Sequence, residues 1–235
     1  FTYHGFQYVQ VEGLTRKPAL SDLVGVAVHT ALEPAAEFAC SHEWLNALHR
    51  MCRRTYLNNL HSIPTDCPQR DERQGWTGDI AVFAGTACFN FDLSRFLDKW
   101  LSDMRAEQRK SGGIPFVIPR QGTFDPMVPT ACWGDSCIIV PWTEYMARGN
   151  RELLRKHYLA MKKYMKAVRF WSGLFSLGQR RHIWKWLFQF GDWCAPEGYV
   201  KEWMKKGKWI ATAYYSYTAS IMSRVADELG YRDDS

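Results

Sequence analysis

No apolar stretch of the sequence approaches the roughly 18–20 residues that a helical membrane span needs, so a membrane-spanning helix is excluded. There is no Cys-x-x-Cys pair. The cysteines stand at 40, 52, 67, 88, 132, 137 and 194, an odd number without a regular ladder, which argues against a thiolate zinc site and a disulfide scaffold. No repeat of fixed length is present, which disfavours a solenoid. Charge of one sign is also scarce: Lys plus Arg number 30 and Asp plus Glu 24, a well-mixed net charge of +6. That balance demands neither a nucleic acid nor an anionic membrane as partner. What the 235 residues do have is apolar and aromatic side chains, at 46% and 15%. This content excludes disorder and is enough for a large core.

The chain begins at Phe1 with no Met and no signal-peptide pattern, and it stops at Ser235 just after a helical pattern. Both ends read as cut, and the chain as an internal piece of a longer protein. Its compartment is therefore unreadable.

Two periodicities divide the chain. Residues 1–32 carry β-branched and aromatic runs around Phe6, Tyr8 and Val11 and again in LVGVAVHTAL, and they are expected to form strands. After Pro34 the spacing becomes helical. Leu45, Leu48, Cys52 and Tyr56 mark a helix from about His42 to Leu60. Further apolar stripes begin behind Asp79, expected as an N-cap, and behind Asp92. A Gly- and Pro-rich loop at 111–131 holds Phe116 and Phe124. A helix from about Trp133 to Arg148, bent at Pro141, is followed by stripes at 154–168 and 214–225, with an irregular Trp-rich stretch at 172–208 between them. Helix follows helix with no strand between, so the expected class is mainly α, built of antiparallel helical hairpins.

The densest chemistry lies in Asp66-Cys-Pro-Gln-Arg-Asp-Glu-Arg-Gln-Gly-Trp-Thr-Gly-Asp79. Four carboxylates, two arginines and one Trp fall within fourteen loop residues. Like charges and an apolar wall keep a carboxylic acid protonated near neutral pH. Here Asp66, Asp71 and Asp79 offer the charges and Trp76 the wall, while Arg70 and Arg73 can hold other carboxylates ionised. Glycosidic cleavage needs such a set, with one acid to protonate the leaving oxygen and a second carboxylate for water or the anomeric carbon. Trp133 and Trp193 each adjoin a Gly-Asp pair, with Asp135 and Asp192. Their rings suit the C–H faces of a sugar and the neighbouring Asp residues its hydroxyls. Other polar clusters read as surface: a basic helix face at His157, Lys162, Lys163 and Lys166, and the lysine-rich segment Lys201–Trp209.

The motif DCPQRDERQGWTGD resembles the signature of the α-L-rhamnosidases of glycoside hydrolase family 78. FTYHGFQYVQVEG resembles the end of the β-sandwich that precedes the barrel in that family, and CWGDSCIIVPWTEY and FGDW resemble later barrel segments. The resemblance implies an (α/α)6 barrel acting with inversion on terminal α-L-rhamnosides. Residues 35–235 would be its first half, after a β-sandwich end and linker at 1–34. By position, Glu72 matches the general acid. Asp66 and Asp79 match the residues holding rhamnose hydroxyls, Trp76, Trp133 and Trp193 match aromatic walls, and Arg70 has a charge-orienting place. No metal or cofactor is implied, and the partners would be rhamnose-containing glycosides or polysaccharides. The sequence departs from the pattern at Gln74, where an apolar residue is expected. The family's general base, a Glu far downstream, has no match at Glu144, Glu197 or Glu202. Another inverting (α/α)6 glycosidase, or a carbohydrate-binding piece without turnover, are the alternatives.

Overall fold

The computed structural model describes residues 3–122, 128–185, 188–196 and 198–234. Those residues form seven α helices: α1 Glu43–Asn58, α2 Thr77–Asn90, α3 Ser94–Glu107, α4 Ser136–Arg148, α5 Arg151–Gly173, α6 Val200–Lys205 and α7 Gly207–Leu229. α4 is the hub and packs against α2, α3, α5 and α7. Its neighbours follow from its sequence. Cys137, Ile138, Ile139, Val140 and Pro141 leave no polar face on its first turns, so it is covered all round. α3 is two-sided instead. Phe96, Leu97, Trp100, Leu101 and Met104 recur at helical spacing and are all buried. Each such side chain contributes about 1.5–3 kcal/mol over an exposed one.

The α4–α5 hairpin turns on two residues. Gly149 takes φ 69°, a left-handed conformation that ends α4. Asn150 then caps α5, its Oδ1 accepting from the Leu153 amide at 3.0 Å. A buried polar cluster ties the α2–α3 junction to α4. Glu144 is wholly buried and accepts from Ser94 Oγ at 2.9 Å. Arg148 lies 3.6 Å from the same carboxylate and donates to the Phe91 carbonyl at 2.7 Å.

The expected helices are present, with four local corrections. Residues 3–32 form no strand among those described; Phe6, Tyr8, Val24 and Val26 stay exposed. A strand needs a ladder, and this segment finds only scattered bonds, such as the Thr30 amide to the Leu60 carbonyl at 2.7 Å. Asp79 is not the N-cap of α2: Trp76 holds that place and Asp79 is the third helical residue. The stretch expected to be irregular contains the short helix α6. His157 does not belong to a solvated face, because it is buried under α3 near Asp98, and burial lowers its imidazole to about 4. Phe124 lies outside the described residues.

Candidate active site

The acidic loop is held shut by its own backbone and by the 114–118 segment. The Asp66 amide donates to the Gln74 carbonyl at 3.0 Å, and the Gln74 amide donates back to Asp66 Oδ1 at 2.8 Å. Farther along, the Ile118 amide donates to Gly75 O at 2.9 Å and the Thr77 amide to Phe116 O at 2.8 Å. The two motif glycines are explained by close approach. A Cβ on Gly75 would run into the Ile118 carbonyl, and one on Gly78 would lie 2.8 Å from the Trp133 ring. Cys67 and Arg73 take φ of 36° and 51°, so backbone strain brackets the segment carrying Glu72.

Within this frame the side chains converge. Trp76 Nε1 donates to Glu72 Oε1 at 3.1 Å, and Arg70 Nη2 lies 2.6 Å from Glu72 Oε2. Asp66 and Glu72 lie within 4.8 Å of each other and of the Cys67 thiol. Such a trio has metal-ligand chemistry, but the Arg70 guanidinium already reaches both Cys67 Sγ, at 3.3 Å, and Glu72. The two carboxyls shift each other in opposite directions. Burial pushes Asp66 up to about 6, and its hydrogen bond to Glu72 adds to that. The same bond holds Glu72 below the ordinary carboxylate range, helped by Trp76 and Arg70. Asp79 opens to solvent on the first turn of α2. The protein packed around it and the Glu72 charge raise its carboxyl. Asp71 points outward and is fully exposed.

An aromatic wall stands beside the carboxylates. Trp76 and Trp133 pack against Phe116, Val117 and Phe190. Trp133 stacks on Phe190 at 4.0 Å, Trp193 meets Phe190 edge-on at 5.5 Å, and Trp203 of α6 meets Trp193 at 5.5 Å. The structure thus gathers Asp66, Arg70, Glu72, Trp76, Asp79 and Trp133. Trp193 joins them at the outer edge through Phe190 and is 44% exposed. Asp135 is not available to a ligand: it is buried and accepts from the Cys132 amide at 2.8 Å, and burial raises it to about 7. Glu144 is committed to the α2–α4 cluster, Glu202 accepts from the Tyr199 amide at the start of α6, and Glu197 lies outside the described residues. Phe116 entered the sequence reading only as a loop residue and Phe190 only as the first residue of FGDW, neither as a site residue. A cavity of about 840 Å³ lies elsewhere, between the N-terminal segment and α1, lined by His29, Phe38 and Arg53 among others.

Helical hairpins with a carboxylate loop and an aromatic wall at their ends define a class, the hairpin glycosidase domains. The chain belongs to the bacterial α-L-rhamnosidase six-hairpin glycosidase domain family, whose model matches residues 33–235. It is 34% identical over 240 residues to an α-L-rhamnosidase of Formosa agariphila, covering 100% of this chain and 25% of that protein. It is 37% identical over 231 residues to an α-L-rhamnosidase of Streptomyces avermitilis, covering 98% of this chain and 21% of that one. Among solved structures, the α-L-rhamnosidase from Dictyoglumus thermophilum superposes with a TM-score of 0.82 at 36% identity, covering 94% of this chain and 24% of that one. The Streptomyces avermitilis enzyme complexed with L-rhamnose gives 0.73 at 35%, covering 86% and 18%. The chain therefore spans about a quarter or less of the length of these relatives. No helix among the described residues is long and apolar enough to cross a membrane.

Proposed function

We propose that this chain is part of the catalytic domain of an inverting α-L-rhamnosidase that hydrolyses terminal α-L-rhamnosides in glycosides or polysaccharides. Residues 35–235 would supply the first half of an (α/α)6 barrel. The observation that carries the reading is the close pairing of the Asp66 and Glu72 carboxyls, within 4.8 Å, beside an aromatic wall; in this reading the pair holds one proton between them. Glu72 is the general acid. It takes the shared proton and passes it to the glycosidic oxygen as the C–O bond breaks, while Arg70 and the Trp76 indole hold the carboxylate left behind. Asp66 and Asp79 take sugar hydroxyls, and Trp76, Trp133 and Trp193 cover the apolar sugar faces. Glu144 and Glu202 serve structural bonds, which supports a water-activating base supplied from elsewhere in the protein, on the opposite face of the ring. For inversion the two carboxyl groups would stand roughly 6.5–9.5 Å apart.

The test is Glu72→Gln in the full-length protein. Turnover of rhamnosides with poor leaving groups should fall about 10²–10⁴-fold, since the amide donates no acidic proton. A dinitrophenyl rhamnoside should be largely spared, and the basic limb of the pH profile should vanish. Equal loss on both substrates would refute the acid role for Glu72. A panel of nitrophenyl glycosides tests the sugar: preference for a sugar other than α-L-rhamnose would refute the substrate.

A further inference from the structure

The Trp133–Phe190 stack joins two segments that belong to no helix or strand. Trp133 sits in the turn before α4, and Phe190 in the irregular stretch 188–190. One side chain bridges them. Gln189 is 3% exposed and uses both ends of its amide. Its Oε1 accepts from the Ala131 amide at 2.7 Å, and its Nε2 donates to the Pro129 carbonyl at 2.9 Å. Those two backbone groups lie two to four residues before Trp133, and Phe190 is the next residue after Gln189. The back of the stretch is closed as well. A Cβ on Gly207, at the start of α7, would lie 2.8 Å from Gln189 Cβ, so Gln189 has no room to retreat.

We infer that Gln189 is a positioning residue that sets the aromatic wall. It locks Phe190 onto Trp133, and Trp133 in turn lies against Gly78, one residue before Asp79. A ring held only by contacts can slide by fractions of an ångström. A buried amide with two directional bonds fixes both register and separation. Substitution at Gln189 leaves the Pro129 carbonyl and the Ala131 amide unpaired, and the turn carrying Trp133 relaxes to find other partners. The inference rests on reading Trp133 as a wall of the rhamnose site.

The experiment is Gln189→Met, near in size but unable to donate or to accept strongly, made in the full-length protein. Two measurements separate placement from function. Fluorine NMR of protein labelled with 5-fluorotryptophan reads the Trp133 ring, its signal assigned by Trp133→Phe. Gln189→Met should shift or broaden that signal and leave Trp44, on α1, unmoved. Calorimetric titration with L-rhamnose should show about tenfold weaker binding, the scale expected when buried partners lose a hydrogen bond. In a Trp133→Ala background the same substitution should add less than a twofold loss, because its effect passes through the ring. An unmoved Trp133 signal overturns the inference, and so does a full additional loss in the Trp133→Ala background. If Trp133→Ala itself leaves rhamnose binding unchanged, the pocket reading of Trp133 fails, and the fluorine signal still decides the role of Gln189. Should Gln189→Met not fold, Gln189→Glu keeps the acceptor for Ala131. It loses the donor to Pro129 and should still shift the Trp133 signal, and no shift overturns the inference.

Discussion

Gly78→Ala opposes two effects of known size at one position. Gly78 is the second residue of α2, and alanine there favours the helix by at most about 1 kcal/mol. The new methyl, however, would lie 2.8 Å from two ring carbons of Trp133 and 3.0 Å from its Nε1, well inside ordinary contact. Trp133 is not free to move, because its ring is also stacked on Phe190 at 4.0 Å. Forcing a methyl into a packed site costs about 1–3 kcal/mol, so the clash outweighs the helix gain by up to about 2 kcal/mol. The sign should reverse once the ring is gone: in a Trp133→Ala background, Gly78→Ala should be neutral or stabilising. Thermal unfolding reads both cases, at about 2–4 °C per kcal/mol for a domain of this size. A parallel assay should find KM for rhamnosides raised by Gly78→Ala, since the proposed function makes the displaced indole a wall of the sugar site. Stabilisation by Gly78→Ala in the parent protein, or the same loss in both backgrounds, would refute the packing of Trp133 on α2.

Two other substitutions probe the charged groups. Arg148→Met removes the counter-charge of the wholly buried Glu144 and leaves the Cys88 and Phe91 carbonyls without their donor; it should cost about 3–5 kcal/mol in urea unfolding, with kcat per folded molecule unchanged. Pairing it with Glu144→Gln should recover much of that loss, and strict additivity would count against the ion pair. Asp66→Asn addresses the shared proton. The folded state holds that proton up to about pH 6 while an ordinary Asp releases it near 3.8, so its stabilisation is complete below 3.8 and is lost as pH rises through 6. Stability of the Asn variant measured between pH 4 and 6 should lack this decline, and an unaltered slope would assign the proton elsewhere.

The helices were legible in the sequence because each carries its own signal. The α3 stripe from Phe96 to Met104 states its buried face, and Gly149-Asn150 states where one helix ends and the next begins. The N-terminal segment was misread for a physical reason. Alternation around Phe6, Tyr8 and Val24 records a preference for a pleated surface, but that preference becomes a strand only when another strand supplies the ladder. Here the backbone of Thr30 and Glu33 is bound instead by the ends of the helices, at Leu60 and Asp92. His157 was misread for a related reason. Its lysine neighbours in sequence suggested a wet face, but a helix carries two faces within four residues, and His157 shares the buried one with Leu153, Leu154 and Met161.

At the site, residue types were legible and their pairing was not. A loop with four carboxylates and a Trp announces an unusual electrostatic environment, yet spacing alone does not say which carboxyl holds the proton. The resemblance to the rhamnosidase motif gave Glu72 the place of the general acid. The geometry divides the influences differently. The Trp76 indole meets Glu72 with its N–H, a donor that favours the anion, and Arg70 adds a positive charge on the other oxygen. Of the pair, Asp66, more withdrawn from water and bound to Glu72, is the one raised. A general acid need not hold its proton in the empty site. It must receive the proton once substrate is bound, and a partner titrating near 6 and within 4.8 Å can supply it. Under the proposed function, sugar hydroxyls engaging Asp66 would favour its anion and drive the proton of the pair toward Glu72. On this account substrate binding itself arms the acid. The pair should therefore titrate as one unit, and losing either carboxyl should alter the same limb of the pH profile.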